Sequence, residues 1–168
     1  VWNQADAVRD KEDEFRHYEE YGKRFHDAYV SQIKAMPWLN FKSFWILFDF
    51  PGANRQEGYM DSEDGVKFVK NNDRKYMNDK GLVTRDRQTK KDVFYLYKSL
   101  WNKDETTVHI TSGRLKYFPA GQDLRIKVYS NAKYLTLYQN GRQVDRMIST
   151  GETTGVVWTF PAVRLKTD

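Results

Sequence analysis

From Arg9 to Met36, apolar and aromatic residues recur every third or fourth position: Phe15, Tyr18, Gly22, Phe25, Tyr29, Ile33 and Met36, with charged residues between them. That spacing predicts one long helix, stopped by Pro37, whose ring cannot continue it. Next comes the run Phe44-Trp45-Ile46-Leu47-Phe48-Asp49-Phe50, closed by Pro51-Gly52. So continuous an apolar run predicts a strand over Phe41 to Phe50, buried on both faces and ending in a carboxylate at a functional rim. Pro51 to Lys80 is polar and rich in glycine and asparagine, which predicts a long loop of the functional or disordered kind. Gly81 to Thr84 reads as a short strand. Thr89-Lys90-Lys91-Asp92 then forms a capping-box-like start to a second helix, with Val93, Phe94, Tyr97, Leu100 and Trp101 on one face.

From Thr106 onward the period changes from helical to alternating. Val108 and Ile110 mark one short strand; Leu124, Ile126 and Val128 alternate with Arg125 and Lys127 in another. Leu135 and Leu137 mark a third, joined through Asn140-Gly141, a strong two-residue hairpin signal, to Arg142 through Met147, and Val156 to Phe160 adds a fifth. Short strands at this spacing, without helices, predict a β-sandwich. The fold class is therefore α+β, with a boundary near Lys103 to Thr106: residues 1–105 of helix, strand, loop, helix, and residues 106–168 all β. The first part follows the strand–helix grammar of a (β/α) barrel. A complete barrel needs about 250 residues, so these can only be its last part.

Composition changes this picture little. The formal charge is +5, from 28 basic and 23 acidic residues, but the signs are interspersed, as in Arg9-Asp10-Lys11-Glu12, and no nucleic-acid motif is present. A mixed solvated surface accounts for it, and no nucleic-acid partner is expected. Without cysteine, disulfides, thiol nucleophiles and thiolate metal sites are excluded. No apolar run approaches the ~20 residues of a membrane span, and the N-terminus is not a signal peptide. Both ends read as cuts, and the compartment stays open, bacterial cytoplasm and periplasm being equally compatible. His17, His26 and His109 are scattered without carboxylates at metal-ligand spacing, so surface or half-buried structural roles are expected and no metal site. The 15% aromatic content serves core packing first, though flat rings also serve as sugar platforms.

The segment Asn78 to Lys98, NDKGLVTRDRQTKKDVFYLYK, resembles the closing part of the catalytic barrel in family-2 glycoside hydrolases. Trp45 and Asp49, as W-x-x-x-D, resemble the end of the last barrel strand, and Arg55-Gln56-Glu57-Gly58 the loop after it. Thr107-Val108-His109-Ile110 and Val128-Tyr129-Ser130-Asn131 are similar to the start of the immunoglobulin-like domain that follows the barrel. The resemblance, which runs from about Tyr18 to Gly141, implies a retaining β-glycosidase acting on terminal β-linked sugars. It is most like β-galactosidase, with β-glucuronidase next, and implies no cofactor. It implies that Trp45 floors the sugar subsite, whereas the pattern alone reads Trp45 as core of a buried strand. Asp49 is either a sugar or water contact or a carboxylate ordering the loop. Asn78 and Lys80 match the amide and ammonium that hold the sugar carboxylate in β-glucuronidases, a task that suits lysine as a point charge with three donors; the alternatives are a solvated Lys80 and an Asn78 that serves a monovalent-cation site.

Retaining glycosidases use two carboxyl groups about 5 to 5.5 Å apart. In this family the acid/base comes from an Asn-Glu pair, and no Asn-Glu dipeptide occurs here. Glu20-Tyr21-Gly22 imitates the nucleophile motif, but charged, helical residues precede it rather than an apolar strand, so it reads as a decoy. No catalytic residue is therefore expected in the chain, and the true carboxyls would lie upstream of Val1. The chain reads as a piece of a glycosidase that supplies one pocket wall, carries an incomplete sandwich and self-associates through the exposed edge at Phe44 to Phe48. The rival reading is a non-catalytic carbohydrate-binding or scaffolding module, with Tyr134, Tyr138 and Trp158 as platforms.

Overall fold

The computed structural model describes residues 19–51, 59–61, 67–69, 77–78, 80–113, 123–148, 150 and 154–164. It is an α+β fold of two helices and nine short strands among these residues: α1 (Glu19–Lys34), β1 (Phe50–Pro51), β2 (Tyr59–Asp61), β3 (Lys67–Val69), β4 (Met77–Asn78), α2 (Asp92–Trp101), β5 (Val108–Ile110), β6 (Asp123–Ser130), β7 (Leu135–Gln139), β8 (Arg142–Met147) and β9 (Val157–Arg164). Contacts divide the chain into two compact units, one of residues 1–26 and 38–93, the other of residues 27–37 and 94–168.

The long helix is present as α1, and the part expected before Glu19 lies outside the described residues. Its last turn tightens, with the Ala35 amide donating to both Ser31 and Gln32 carbonyls and Met36 to Ile33, one residue before Pro37 removes the next donor. Among the described side chains of α1, Lys23, His26 and Val30 are buried, whereas Phe25 and Tyr29 are exposed. Lys23 meets the buried carboxylate of Asp92 at 3.5 Å, a contact that water would weaken.

In the first unit, β1 pairs antiparallel with β4, placing Phe50 opposite Asn78, and β2 pairs antiparallel with β3. The stretch expected to be a loop thus contains a hairpin and a returning strand; Asp64-Gly65, between β2 and β3 in sequence, is the turn signal that points to it. The expected strand over Phe41 to Phe50 is mostly irregular. Only Phe48 bridges Val83, in parallel, before β1 begins. The run is also not buried on both faces: Phe41 is 81% and Trp45 70% exposed, with Leu47 exposed as well. From Ile46 to Asp49 the backbone bonds Leu82 and Val83, through the Ile46 and Leu47 carbonyls and the Asp49 amide. The start of α2 also differs from the expected capping box. Lys90 still bridges Val83 as extended chain, Thr89 donates its amide to the Thr84 hydroxyl, and the Asp92 amide, at the start of the helix, donates to the Glu19 carboxylate.

In the second unit, β5, β6 and β9 form an antiparallel sheet with β6 central, and β7 and β8 form a separate hairpin. Asn140 and Gly141 have φ of 49° and 76°, the positive pair that a two-residue primed turn demands. The five strand positions read from alternation are all occupied. The core draws on both sheets: Val128, Trp158, Phe160 and Val163 from β6 and β9 with Leu135 from β7, and Leu137 and Met147 packed against them. Trp158 is 2% exposed and its indole N–H donates to the Ser130 carbonyl, so it is core and cannot serve as a sugar platform. His109 is half-buried on β5 and stacks on Tyr95 of α2, centroids 3.8 Å apart, while Val108 and Ile110 face outward. Asn131 ties the chain between α2 and β5, donating to the Asn102 and Glu105 carbonyls and accepting from the Thr107 amide. Asp27 accepts from both Lys127 and the Tyr129 hydroxyl. Burial, with Tyr29 adding to it, raises the Tyr97 phenol well above its ordinary value.

Trp158→Ala should cost about 3–5 kcal/mol in denaturant unfolding, by removing the largest fully buried side chain. Tyr138→Ala, at an exposed position of β7, should change stability by less than about 0.5 kcal/mol.

Candidate functional site

The residues singled out by sequence, Trp45, Asp49, Asn78 and Lys80, all fall in the first unit, and its backbone explains how three of them come together. The chain from Ile46 to Asp49 runs parallel to Leu82 and Val83, and Phe50 pairs with Asn78. Asp49, at the junction, is buried, and its Oδ1 accepts two hydrogen bonds, from the Gly81 amide at 2.8 Å and from the Lys91 ammonium at 2.8 Å. Both contacts tie the Asp49 carboxylate to the 81–91 segment. An oxygen shared between a backbone amide and an ammonium is a charge-assisted anchor, stronger than a neutral hydrogen bond.

Gly81 is required by close approach. A Cβ at this position would sit 2.3 Å from the Asp49 amide nitrogen and 2.5 Å from the Phe48 carbonyl carbon. Asn78 is 1% exposed, and its side-chain oxygen accepts from the Lys80 amide at 3.0 Å, an Asx-type turn that sets the backbone leading into Gly81. Lys80 itself is half-buried. Among the described residues no anion pairs with its ammonium.

The Thr84 to Thr89 turn holds the next segment in place by its own polar groups. Thr84 and Thr89 exchange backbone and hydroxyl bonds, and Asp86 accepts from the Thr84 hydroxyl at 2.6 Å and from the Gln88 amide at 3.0 Å. The Thr84 hydroxyl, then the Gln88 amide, hold the Asp86 carboxyl below its ordinary range. Arg87, at φ 62°, lays its guanidinium 4.7 Å over the Phe48 ring. The Lys91 amide bonds the Leu82 carbonyl, closing the hairpin just before α2.

Trp45 stands apart from the buried cluster. Its ring is largely exposed and meets Phe50 edge-on, centroids 6.2 Å apart, and the Trp45–Ile46 peptide is cis. Phe50 thus links the two halves of the candidate site: it touches Trp45 through its ring and pairs with Asn78 through its backbone. Glu20, the apparent decoy, lies on α1, in helix rather than at a strand end. Sequence reasoning missed Lys91 as a site residue, yet a signal was present. Two lysines immediately before a helix oppose its dipole, so a buried anionic partner should have been sought. No group of residues that could hold a metal ion occurs among the described residues, and no helix there is long and apolar enough to cross a membrane.

Comparison with known proteins places this geometry in context. No family model matches the chain. It is 30% identical over 161 residues, 94% of its length, to a β-glucuronidase of Bacteroides fragilis, of which those residues make up 21%. Among solved structures it resembles an FMN-binding β-glucuronidase from Facaelibacterium prausnitzii L2-6, with TM-score 0.65 and 36% identity over 88% of this chain and 20% of that one. It also resembles a putative β-galactosidase from Bacteroides fragilis, with TM-score 0.65 and 27% identity over 88% of this chain and 19% of that one. The chain thus spans about a fifth of the length of these relatives.

Gly81→Ala should destabilise the first unit by about 1–3 kcal/mol, because the two nearest atoms are backbone and cannot step aside. Gly22→Ala, where a Cβ meets nothing within 4 Å, should be neutral or stabilising in the same denaturation experiment.

Proposed function

We propose, on the premise that this chain belongs with the glycoside hydrolases of the β-glucuronidase and β-galactosidase type, that it forms one wall of the sugar pocket of a retaining β-glycosidase. In this reading residues 1–105 are the closing segment of a catalytic (β/α) barrel and residues 106–168 belong to an immunoglobulin-like sandwich. The core shared by the β5-β6-β9 sheet and the β7-β8 hairpin supports the second assignment. The catalytic carboxyl pair comes from outside these residues, consistent with the lack of an Asn-Glu dipeptide. Hydrolysis runs through a glycosyl-enzyme intermediate, with the second carboxyl as acid and then base.

The observation that carries the reading is the juxtaposition around Phe50. An exposed indole lies against one side of it, and a buried amide with a half-exposed ammonium two residues on lies at its backbone partner. An indole face stacks on the apolar C–H side of a pyranose, and polar groups nearby fix its orientation. Lys80 supplies three donors and a positive charge, which suits a sugar carboxylate better than a neutral hydroxymethyl group. The sequence alone leans toward a galactoside. The ammonium of Lys80 and the names of the relatives lean toward a terminal β-glucuronide, which is the substrate proposed; the putative β-galactosidase among the similar structures keeps the galactoside as second reading. The exposed Trp38, Phe41 and Trp45 support self-association of the chain when it stands alone.

The tests use nitrophenyl β-glucuronide and β-galactoside. The chain by itself should hydrolyse neither; activity abolished by Glu20→Gln would make Glu20 the nucleophile and overturn the reading. In the enzyme that carries this chain, Lys80→Ala should lower kcat/KM for the glucuronide by about 10- to 150-fold, the equivalent of about 1.5–3 kcal/mol for a charge-assisted hydrogen bond. The galactoside should lose less than about threefold; equal losses would remove the uronate assignment. Trp45→Ala should impair both substrates while leaving the unfolding midpoint nearly unchanged, since the ring is exposed. Light scattering of the dilute chain should give a mass above one copy, and a strict monomer would remove self-association.

A further inference from the structure

We infer that Lys91 is a positioning residue for the Asn78–Lys80 sugar grip, acting through Asp49. The inference rests on the reading of Lys80 as the group that meets the substrate. Lys91 is 2% exposed, carries a charge into the interior and directly precedes α2, whose N-terminal dipole disfavours a cation. A buried ammonium at such a place is costly unless it is closely paired, and Asp49 Oδ1 lies 2.8 Å away.

The geometry gives that pairing a direction. The same oxygen that Lys91 holds accepts the Gly81 amide, and Gly81 directly follows Lys80. The backbone amide of Lys91 also bonds the Leu82 carbonyl, so the residue grips the 80–83 segment twice: directly through its backbone, and through the Asp49 carboxylate by its side chain. On the other flank, Asn78 fixes the Lys80 amide. Lys80 is therefore set between two anchors, and the ammonium of Lys91 orients one of them without touching the sugar. Groups held within about half an ångström by such supporting bonds bind more tightly than the same groups on a mobile loop.

The test is Lys91→Met, read in two ways. In the full chain, amide hydrogen exchange should quicken at least tenfold at Lys80 and Gly81, while amides of the second-unit core such as Val128 and Phe160 keep their rates. Unchanged exchange at Gly81, or equal acceleration throughout, would overturn the inference. In the enzyme carrying this chain, KM for nitrophenyl β-glucuronide should rise about tenfold with kcat within about threefold. A fall in kcat at constant KM marks a mere loss of folded protein and also overturns it. Should Lys91→Met fail to fold, Asp49→Asn combined with Lys91→Met removes both charges together, and wild-type exchange and KM in that double variant would overturn the inference equally. If the unsubstituted enzyme turns over no β-glycoside, the functional reading fails, and the exchange rates at Lys80 and Gly81 alone decide whether Lys91 orders the segment.

Discussion

One carboxylate oxygen organises the first unit. Asp49 Oδ1 receives a backbone amide from Gly81 and an ammonium from Lys91, and so ties its own stretch to a segment more than thirty residues on. The approach is close enough that position 81 has no room for a side chain. Around this point regular structure is sparse among the described residues: two short strand pairs and isolated bridges carry the backbone. Polar anchoring therefore takes over part of the work that a hydrogen-bonded sheet does elsewhere. A buried ion pair of this kind is weak evidence for net stability, because desolvation opposes the attraction. What it supplies here is geometry, since an unpaired Asp49 or Lys91 in the interior would be strongly unfavourable.

Sequence pattern served the second unit far better than the first. Alternation at Leu124, Ile126 and Val128, and the Asn140-Gly141 turn, are local signals whose outcome local physics settles, and all five strands fall where they were expected. In the first unit the same rules misread the apolar run at Phe44 to Phe48 as a doubly buried strand, because an apolar sequence does not say how many neighbours it has. The Thr89 capping box failed for a related reason: a carboxylate distant in sequence, on Glu19, occupied the amide that a local cap would have taken. The three-and-four spacing gave the helix of α1 correctly, while the residues it buries include Lys23 and His26.

The candidate site was legible as a set of residues but not as an arrangement. Asn78, Lys80 and Asp49 could be picked from motif resemblance, yet nothing in the sequence says that Phe50 lies opposite Asn78. Lys91 was visible only as one of several lysines. Its importance arises from burial, which is a tertiary property, although two cations at a helix start are a local anomaly that asks for an explanation.

The tryptophans divide in a way that gives the chain its own optical labels. Trp158 is sealed in the core of the second unit and bonded to the Ser130 carbonyl, whereas Trp38 and Trp45 of the first unit stand in solvent, as does Trp101 of the second. Indole emission shifts to the red in water, and a soluble quencher reaches only rings that water reaches. Among the described residues, the red, quenchable part of the fluorescence thus comes from Trp38, Trp45 and Trp101. The blue, shielded part reports on whether the second unit's core is intact. Solvent access at the exposed indoles and melting around Trp158 can therefore be followed in the same sample as separate spectral components, without any added dye.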